Sequence, residues 1–449
     1  MDTVSEKENP ILTGNIWKQL LLFAFPIMIG SFFQQLYNTI DSLIVGNFVG
    51  ADALAAVGGS SALIVNFIVN FFMGLSSGAG VIISQYYGAG DRKRVNDAVH
   101  TAYAFALCGG VVLTVVGVGL SANILALMDT PEDIFDASAS YLRIYFFSLI
   151  FMFVFNMGSG ILRALGNSKT PLYFLIVCSI INIVLDVIFV LGLGLGVSGV
   201  AFATLLAQVV SAILMTHHLM FKTKECRLNL RQVRFDTGIL KSQLRIGIPG
   251  GLQSTMYSVS NMIVQTAVNG YGTMVVAGWT SDGKIETIFW LLESALGISI
   301  TTFVGQNYGA GKKDRIVKGT RICLVMYFIM SIALSGLFIA FRYPLIGIFT
   351  DNSEAIEVGA SMLLWISPFY VFFAFVEVLS GTLRGMGDVV IPTVMTLISI
   401  CVVRILWVTF VVPHFPGLFY LYILYPITWG TGAIAFIIYY LYRKKKLGL

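Results

Sequence analysis

Hydrophobic residues fall into long runs along this chain, separated by short stretches that carry the charges, glycines and prolines. Twelve such runs lie at approximately 16–46, 53–83, 95–120, 134–158, 170–192, 197–220, 244–269, 274–303, 316–341, 357–380, 389–412 and 417–442. About 20 apolar residues suffice for a helix to cross a bilayer. Strand-like alternation is absent, which argues against a β-barrel. The pattern therefore predicts an all-α integral membrane protein of twelve transmembrane helices. Composition agrees: of 449 residues, 57% are hydrophobic and only 11% charged, with a mean hydropathy of +0.84. A soluble domain would carry about a quarter charged residues.

The runs repeat. "SQYYGAGDRKRV" (84–95) returns as "GQNYGAGKKDRI" (305–316), and "SGILRALGNSKTP" (159–171) as "SGTLRGMGDVVIP" (380–392), both at an offset of 221 residues. Pro26 and Pro249 pair at 223. Each half holds six runs, and corresponding loops carry the same charge sign. Parallel repeats of this kind predict two six-helix lobes with a central cleft. The expected divisions are an N-terminal segment 1–15, a first lobe 16–221, a basic linker 222–240, a second lobe 241–442 and a basic tail 443–449.

Lys and Arg collect in alternate loops and in the tail, at Arg92–Arg94, Arg163/Lys169, Lys222 to Arg245, Lys312 to Arg321, Arg384 and Arg443–Lys446. Acids such as Asp129, Glu132, Asp133, Asp351 and Glu354 occupy the intervening loops. The positive-inside rule then places both termini in the cytoplasm. The net charge of +5 reads as a topology signal, with no support for a nucleic-acid partner. The N-terminus, MDTVSEKENP, shows no cleavable signal pattern. Five scattered cysteines have no metal-ligand spacing, and four fall within runs as small core residues. "YGAG" lacks the Lys–Ser/Thr of a phosphate loop and reads as a tight turn. With no GxSxG, HExxH or Cys/His cluster, enzyme chemistry has no foothold. Transport driven by an ion gradient is the reading left, with no cofactor beyond the coupling ion.

Polar residues within the first lobe share a level. Run 1 carries Gln34, Asn38 and Asp41 at i, i+4, i+7, on one helical face. Run 5 carries Asn182 and Asp186, and run 6 carries Thr204 and Gln208, each pair at i, i+4. Counted from the outer ends, Asp41, Asp186 and Thr204 lie about five to seven residues deep, roughly 8–10 Å at 1.5 Å per residue. Two carboxylates, an amide and a hydroxyl at one depth suit a hard cation such as Na⁺. The same acids also suit a shared proton. The second lobe lacks this set: the offset places Val403 and Trp407 where Asn182 and Asp186 stand. It has acids of its own, Asp282, Glu286 and Glu293 in run 8 and Glu377 in run 10. These either attract organic cations or form internal ion pairs with Lys284 or Arg404. Pro26 and Pro249 each remove a helical hydrogen bond and predict a bend in runs 1 and 7.

Run 1 with Pro26 and Asp41, both "YGAG" loops, "LRALGNSKTP" and "NIVLDVIFV" (182–190) together resemble the multidrug and toxic compound extrusion family over nearly the whole chain. The resemblance implies an antiporter of the cell (plasma) membrane that expels organic cations and amphipathic drugs in exchange for Na⁺ or H⁺. It implies a first-lobe cation site at Asp41, Asn182, Asp186 and Thr204, and a cavity lined by Tyr37, Asn38 and Asn156, with Gln34 on the same face. Members that use an acid on the seventh helix are not matched here; Glu286, Glu293 and Glu377 are the nearest substitutes. A lipid-linked precursor flippase of the same superfamily is the alternative, but flippases place basic residues in the cleft. The lipid bilayer is the expected environment and a monomer the expected state.

Overall fold

The computed structural model describes residues 9–415 and 417–448, so most of the polar N-terminal stretch and the last residue of the basic tail lie outside the described residues. Among those described, every regular element is helical. The long helices are α1 (Ile16–Val49), α2 (Asp52–Gly88), α3 (Arg92–Leu127), α4 (Glu132–Ala164), α5 (Lys169–Gly192), α6 (Gly196–Phe221), α7 (Thr237–Asn269), α8 (Thr273–Gly309), α9 (Lys313–Ala340), α10 (Ser353–Gly385), α11 (Val390–Val411) and α12 (Leu418–Leu447). Eleven of them are long and apolar enough to cross a membrane. The exception is α7, whose 33 residues include Gly247, Gly250, Gly251, Gln253 and Asn261 among the apolar positions. All twelve expected runs thus correspond to long helices, and polar content sets one apart.

The repeat is visible in the element bounds. Helices α3, α4 and α5 begin at 92, 132 and 169, and α9, α10 and α11 at 313, 353 and 390, each 221 later; the glycines that precede α2 and α8, Gly50 and Gly272, stand 222 apart. The two "YGAG" segments close as the same turn. Ala89 N–H donates to Gln85 O, Gly90 to Tyr87 O and Asp91 to Tyr86 O; Ala310, Gly311 and Lys312 repeat these bonds to Gln306, Tyr308 and Asn307. Gly90 (φ 74°) and Gly311 (φ 69°) occupy the left-handed conformation that ends each helix. The expected tight turn is what forms.

The chain's contacts separate into two compact units, Pro26–Gly251 and Leu252–Leu449 together with the residues up to Phe25. Both divisions fall inside helices, one at Pro26 and the other two residues after Pro249. The α-helix runs from Ile16 to Ile44 through Pro26 and from Thr237 to Asn269 through Pro249.

In the unit Pro26–Gly251, α4 packs against α2, α3 and α6. Here α2 and the start of α7 meet through glycines. A Cβ at Gly74 would overlap the Gly251 backbone, and one at Gly78 would overlap Gly247. Paired small residues four apart let helix backbones approach this closely. The linker docks on α3: Asn229 N–H donates to His100 Nε2 (3.1 Å), Asp236 N–H to Thr101 Oγ1 (3.1 Å) and Gln243 Nε2 to Ala98 O (3.0 Å). Cys226, expected outside the helices, is buried there, and burial pushes its thiol up to about 12. Of the cysteines assigned to cores, Cys108 is instead exposed.

In the other unit, α8 packs against α9 and α10, and α10 against α12. A short helix, Pro10–Thr13, is tied down on this unit. Asn9 Nδ2 donates to Gln306 Oε1 (2.9 Å), Lys312 Nζ to Leu12 O (3.0 Å), and Arg315 Nη2 to Ile11 O (3.0 Å) and Gly14 O (2.9 Å).

Candidate functional site

Both acids of the first lobe stand where a helix changes its winding. Helix α1 is α-helical to Ile44 and then π-helical over Val45–Val49. In α5 the α-helix ends at Asp186 itself and Val187–Gly192 is π-helical. Such widened turns are frequent at functional sites, because they release the regular backbone bonding. Asp41 lies eight residues from Val49, Asp186 six from Gly192 and Thr204 eight from Gly196.

Asp186 is fully enclosed (0% exposed), with Asn182 at 2% and Thr204 at 8%. Both Asp186 carboxylate oxygens, both polar atoms of the Asn182 amide and one Asp41 oxygen are buried without a hydrogen-bond partner. The Asp41 and Asp186 carboxyl groups come within hydrogen-bonding reach of each other. Ionised carboxylates only accept. Two of them meet in a low dielectric only when a proton or a cation lies between them. Stranded polar atoms of this kind cost free energy unless something fills them.

Beside this pair lies a cavity of about 360 Å³. Gln34, Tyr37, Asn38 and Asp41 reach it from α1, Asn66 and Met73 from α2, Tyr141, Tyr145, Met152, Phe155 and Asn156 from α4, Ser179 from α5 and Gln208 from α6. Its wall mixes aromatic rings and methionine thioethers with a few amides, a surface able to adapt to several apolar shapes. Asn156 is held in place, its side chain donating from Nδ2 to Met152 O (3.0 Å) while its backbone carbonyl accepts from Ser76 Oγ (2.8 Å). Asp41 lines the cavity, whereas Asn182, Asp186 and Thr204 do not. Asp41 is therefore the one group shared by the buried pair and the cavity.

Sequence reasoning missed Asn66, Tyr141, Tyr145 and Ser179. The tyrosines stand one turn apart on α4, and Asn66 stands one turn before Asn70 in an apolar run; those spacings were the available signal.

The second-lobe acids fall into two places. Glu286 accepts from Tyr370 Oη at 2.6 Å. Glu293, buried at 8%, is in hydrogen-bonding reach of Glu377. Gly297 makes room there, since a Cβ on it would collide with the Glu377 carboxyl. The internal ion pairs considered from sequence do not form. Ion pairs among the described residues are Arg94–Asp91, Arg234–Asp97 and Arg443–Asp388. Lys284 is exposed and lies over the Phe349 ring at 5.2 Å, while Arg404 donates to Asn261 Oδ1 at 2.7 Å.

The family model MatE matches residues 26–188 and again 249–410, one copy per repeat. A probable multidrug resistance protein of Bacillus subtilis, YpnP, is 33% identical over 393 residues, covering 87% of each chain. A second from the same organism, YoeA, is 29% identical over 441 residues, covering 96% of this chain and 95% of that one. Among solved structures, a MATE protein in the bent conformation is 24% identical and covers 98% of this chain and 97% of that one, with a TM-score of 0.91; it matches in fold.

Proposed function

The chain belongs to the multidrug and toxic compound extrusion family of transporters, and on that footing we propose that it exchanges organic cations and amphipathic drugs for Na⁺ or H⁺ by alternating access. The observation that carries this reading is the Asp41–Asp186 contact, with its unpartnered oxygens, beside the cavity that Asp41 also lines. Asp41 then serves two ligands in turn. Ionised, it presents a negative charge to the cavity and holds an organic cation there against Tyr37, Asn38, Gln34 and Asn156. With a proton or Na⁺ shared between Asp41 and Asp186, one of the pair's two negative charges is cancelled, the hold on the organic cation weakens and it is released. Asn182 and Thr204 complete the all-oxygen set when the ion is Na⁺. The two ligands compete through one carboxylate, which is a direct form of thermodynamic linkage.

In this reading the lobes are 16–221 and 241–442, joined by 222–240, and both termini face the cytoplasm of a plasma-membrane protein that works as a monomer. The bend that transport requires is put at Pro26 and Pro249, where ring geometry removes a backbone bond. The bent form known for a solved relative fits a fold that admits such bends. Glu286, Glu293 and Glu377 would add negative charge along the substrate path. Acidic rather than basic cavity candidates speak against a phosphate-bearing flippase substrate.

Everted vesicles containing the protein test this. An outward-directed organic cation pump loads such vesicles with ethidium only when a Na⁺ or proton gradient is imposed, and the effective gradient identifies the coupling ion. Equal accumulation with and without both gradients contradicts ion-coupled antiport.

A further inference from the structure

One buried cation of the second lobe has no acid beside it. Arg404 is 3% exposed and lies on α11 in a four-residue α-helical segment, Val403–Leu406, between π-helical Leu397–Val402 and Trp407–Val411. It donates from Nη1 to Asn261 Oδ1 at 2.7 Å, and its guanidinium lies over the Tyr425 ring at 4.6 Å. Its Nε–H has no acceptor, and no ion pair among the described residues involves it.

Acids of the same lobe are stranded in the complementary way. Asp282 is 0% exposed and neither carboxylate oxygen has a partner. One turn along α8, Glu286 has the Tyr370 hydroxyl and feels the charge of Arg404. A chain of rings runs from the guanidinium to that carboxylate: Arg404 lies over Tyr425, Tyr425 meets Trp429, Trp429 meets Tyr370, and Tyr370 bonds Glu286. Around them the rings are continuous: Tyr425 meets Trp429 at 5.6 Å, Trp429 meets Tyr370 at 5.9 Å, and Trp279 meets Tyr425 at 6.2 Å. The buried Trp429 indole N–H is also unpartnered.

A structural ion pair would bring the guanidinium and a carboxylate into contact, since an isolated buried charge is the costliest arrangement. Here the guanidinium lies over Tyr425, the Glu286 carboxylate is held by Tyr370, and no ion pair joins them. Carboxylates behind an aromatic wall are the recognition chemistry of a flat, charge-delocalised cation. Guanidinium is such a cation, planar and weakly hydrated.

We propose that Asp282, Glu286 and the Tyr370–Trp429–Tyr425 wall form a binding box for planar organic cations, that Arg404 is its tethered resting occupant, and that a substrate cation enters by displacing Arg404 from Tyr425. The proposal rests on the transport reading for its substrate class and adds a second-lobe site with a built-in competitor. The competitor sets selectivity: a ligand must outbid a guanidinium already in place, which favours rings over compact ammonium ions.

Binding of ethidium to the purified full chain, followed by fluorescence polarisation without any ion gradient, separates this box from ion coupling. R404Q removes the competing charge but keeps a side chain able to bond Asn261, and ethidium affinity should rise roughly tenfold. R404K keeps a charge with poorer stacking and should give a smaller rise; being charge-conserving, it also stands if R404Q fails to fold. Adding D282N to either variant should cancel the gain. Unchanged or weaker ethidium binding in the folded Arg404 variants, or a gain that survives D282N, overturns the box. Ion-driven uptake by the unmodified protein is the separate readout for transport. Its loss with the affinity gain intact counts against antiport alone.

Discussion

Asn182 is an unusual buried residue, because its amide oxygen and nitrogen both lack partners at 2% exposure. A side chain kept for packing would be expected to bond a neighbour, as interhelical amides do. Its retention is explained if the amide is a ligand. Asn182→Leu removes a stranded dipole while keeping the helix, so thermal stability should stay level or rise, while ion-driven uptake falls at least tenfold. Differential scanning and vesicle uptake on the same preparation check both halves. A large drop in Tm would show that Asn182 is structural. This residue, with Asp41, Asp186 and Thr204, was legible in sequence because turn-spaced polar residues fix a face and counts from the run ends fix a depth. Which of the four faces the cavity was not legible: that depends on how α5 and α6 rotate against α4. The partner of Glu286 was hidden for the same reason, since Tyr370 is 84 positions away.

Among the elements, α2 and α7 approach backbone to backbone through Gly74 and Gly78 against Gly251 and Gly247. Backbone sits against backbone there, so no side chain can yield to an added methyl. Gly74→Ala should therefore destabilise by about 1–3 kcal/mol. Gly283 is also helical, but nothing lies within 4 Å of a Cβ there. Gly283→Ala should stabilise by about 0.5–1 kcal/mol through helix propensity. Unfolding of the two variants in the same detergent compares them, and equal effects would refute the close-contact account. The helices themselves were readable from the apolar runs, with bounds extended at several ends by polar or amphipathic turns, as at Ser353 and Leu447. The π-helical turns were not readable, because apolar runs such as Val187–Gly192 fit either winding equally well.

Across the molecule, the duplicated architecture and the unduplicated chemistry point in different directions. Helix starts and turn hydrogen bonds recur at 221, yet the equivalents of Asn182 and Asp186 are Val403 and Trp407. Trp407 satisfies its indole within the lobe, donating to Tyr420 O at 2.9 Å. The bundle therefore folds without the acidic pair, and the pair in the first lobe has to be explained by what it binds. Repeat, lobe count and membrane character followed from the sequence because they are properties of pattern. The Arg404 arrangement did not, because contacts between α7, α11 and α12 decide it.

The most direct test of the account is ion-driven ethidium uptake into everted vesicles by Asp41→Asn and Asp186→Asn beside the parent. Each substitution removes one carboxylate of the contact while keeping its size. We expect both to abolish gradient-driven uptake, with Asp41→Asn also weakening ethidium binding because only Asp41 lines the cavity. Uptake at the parental rate by both variants, at equal protein in the membrane, would contradict the assignment of Asp41 and Asp186 as the coupling pair.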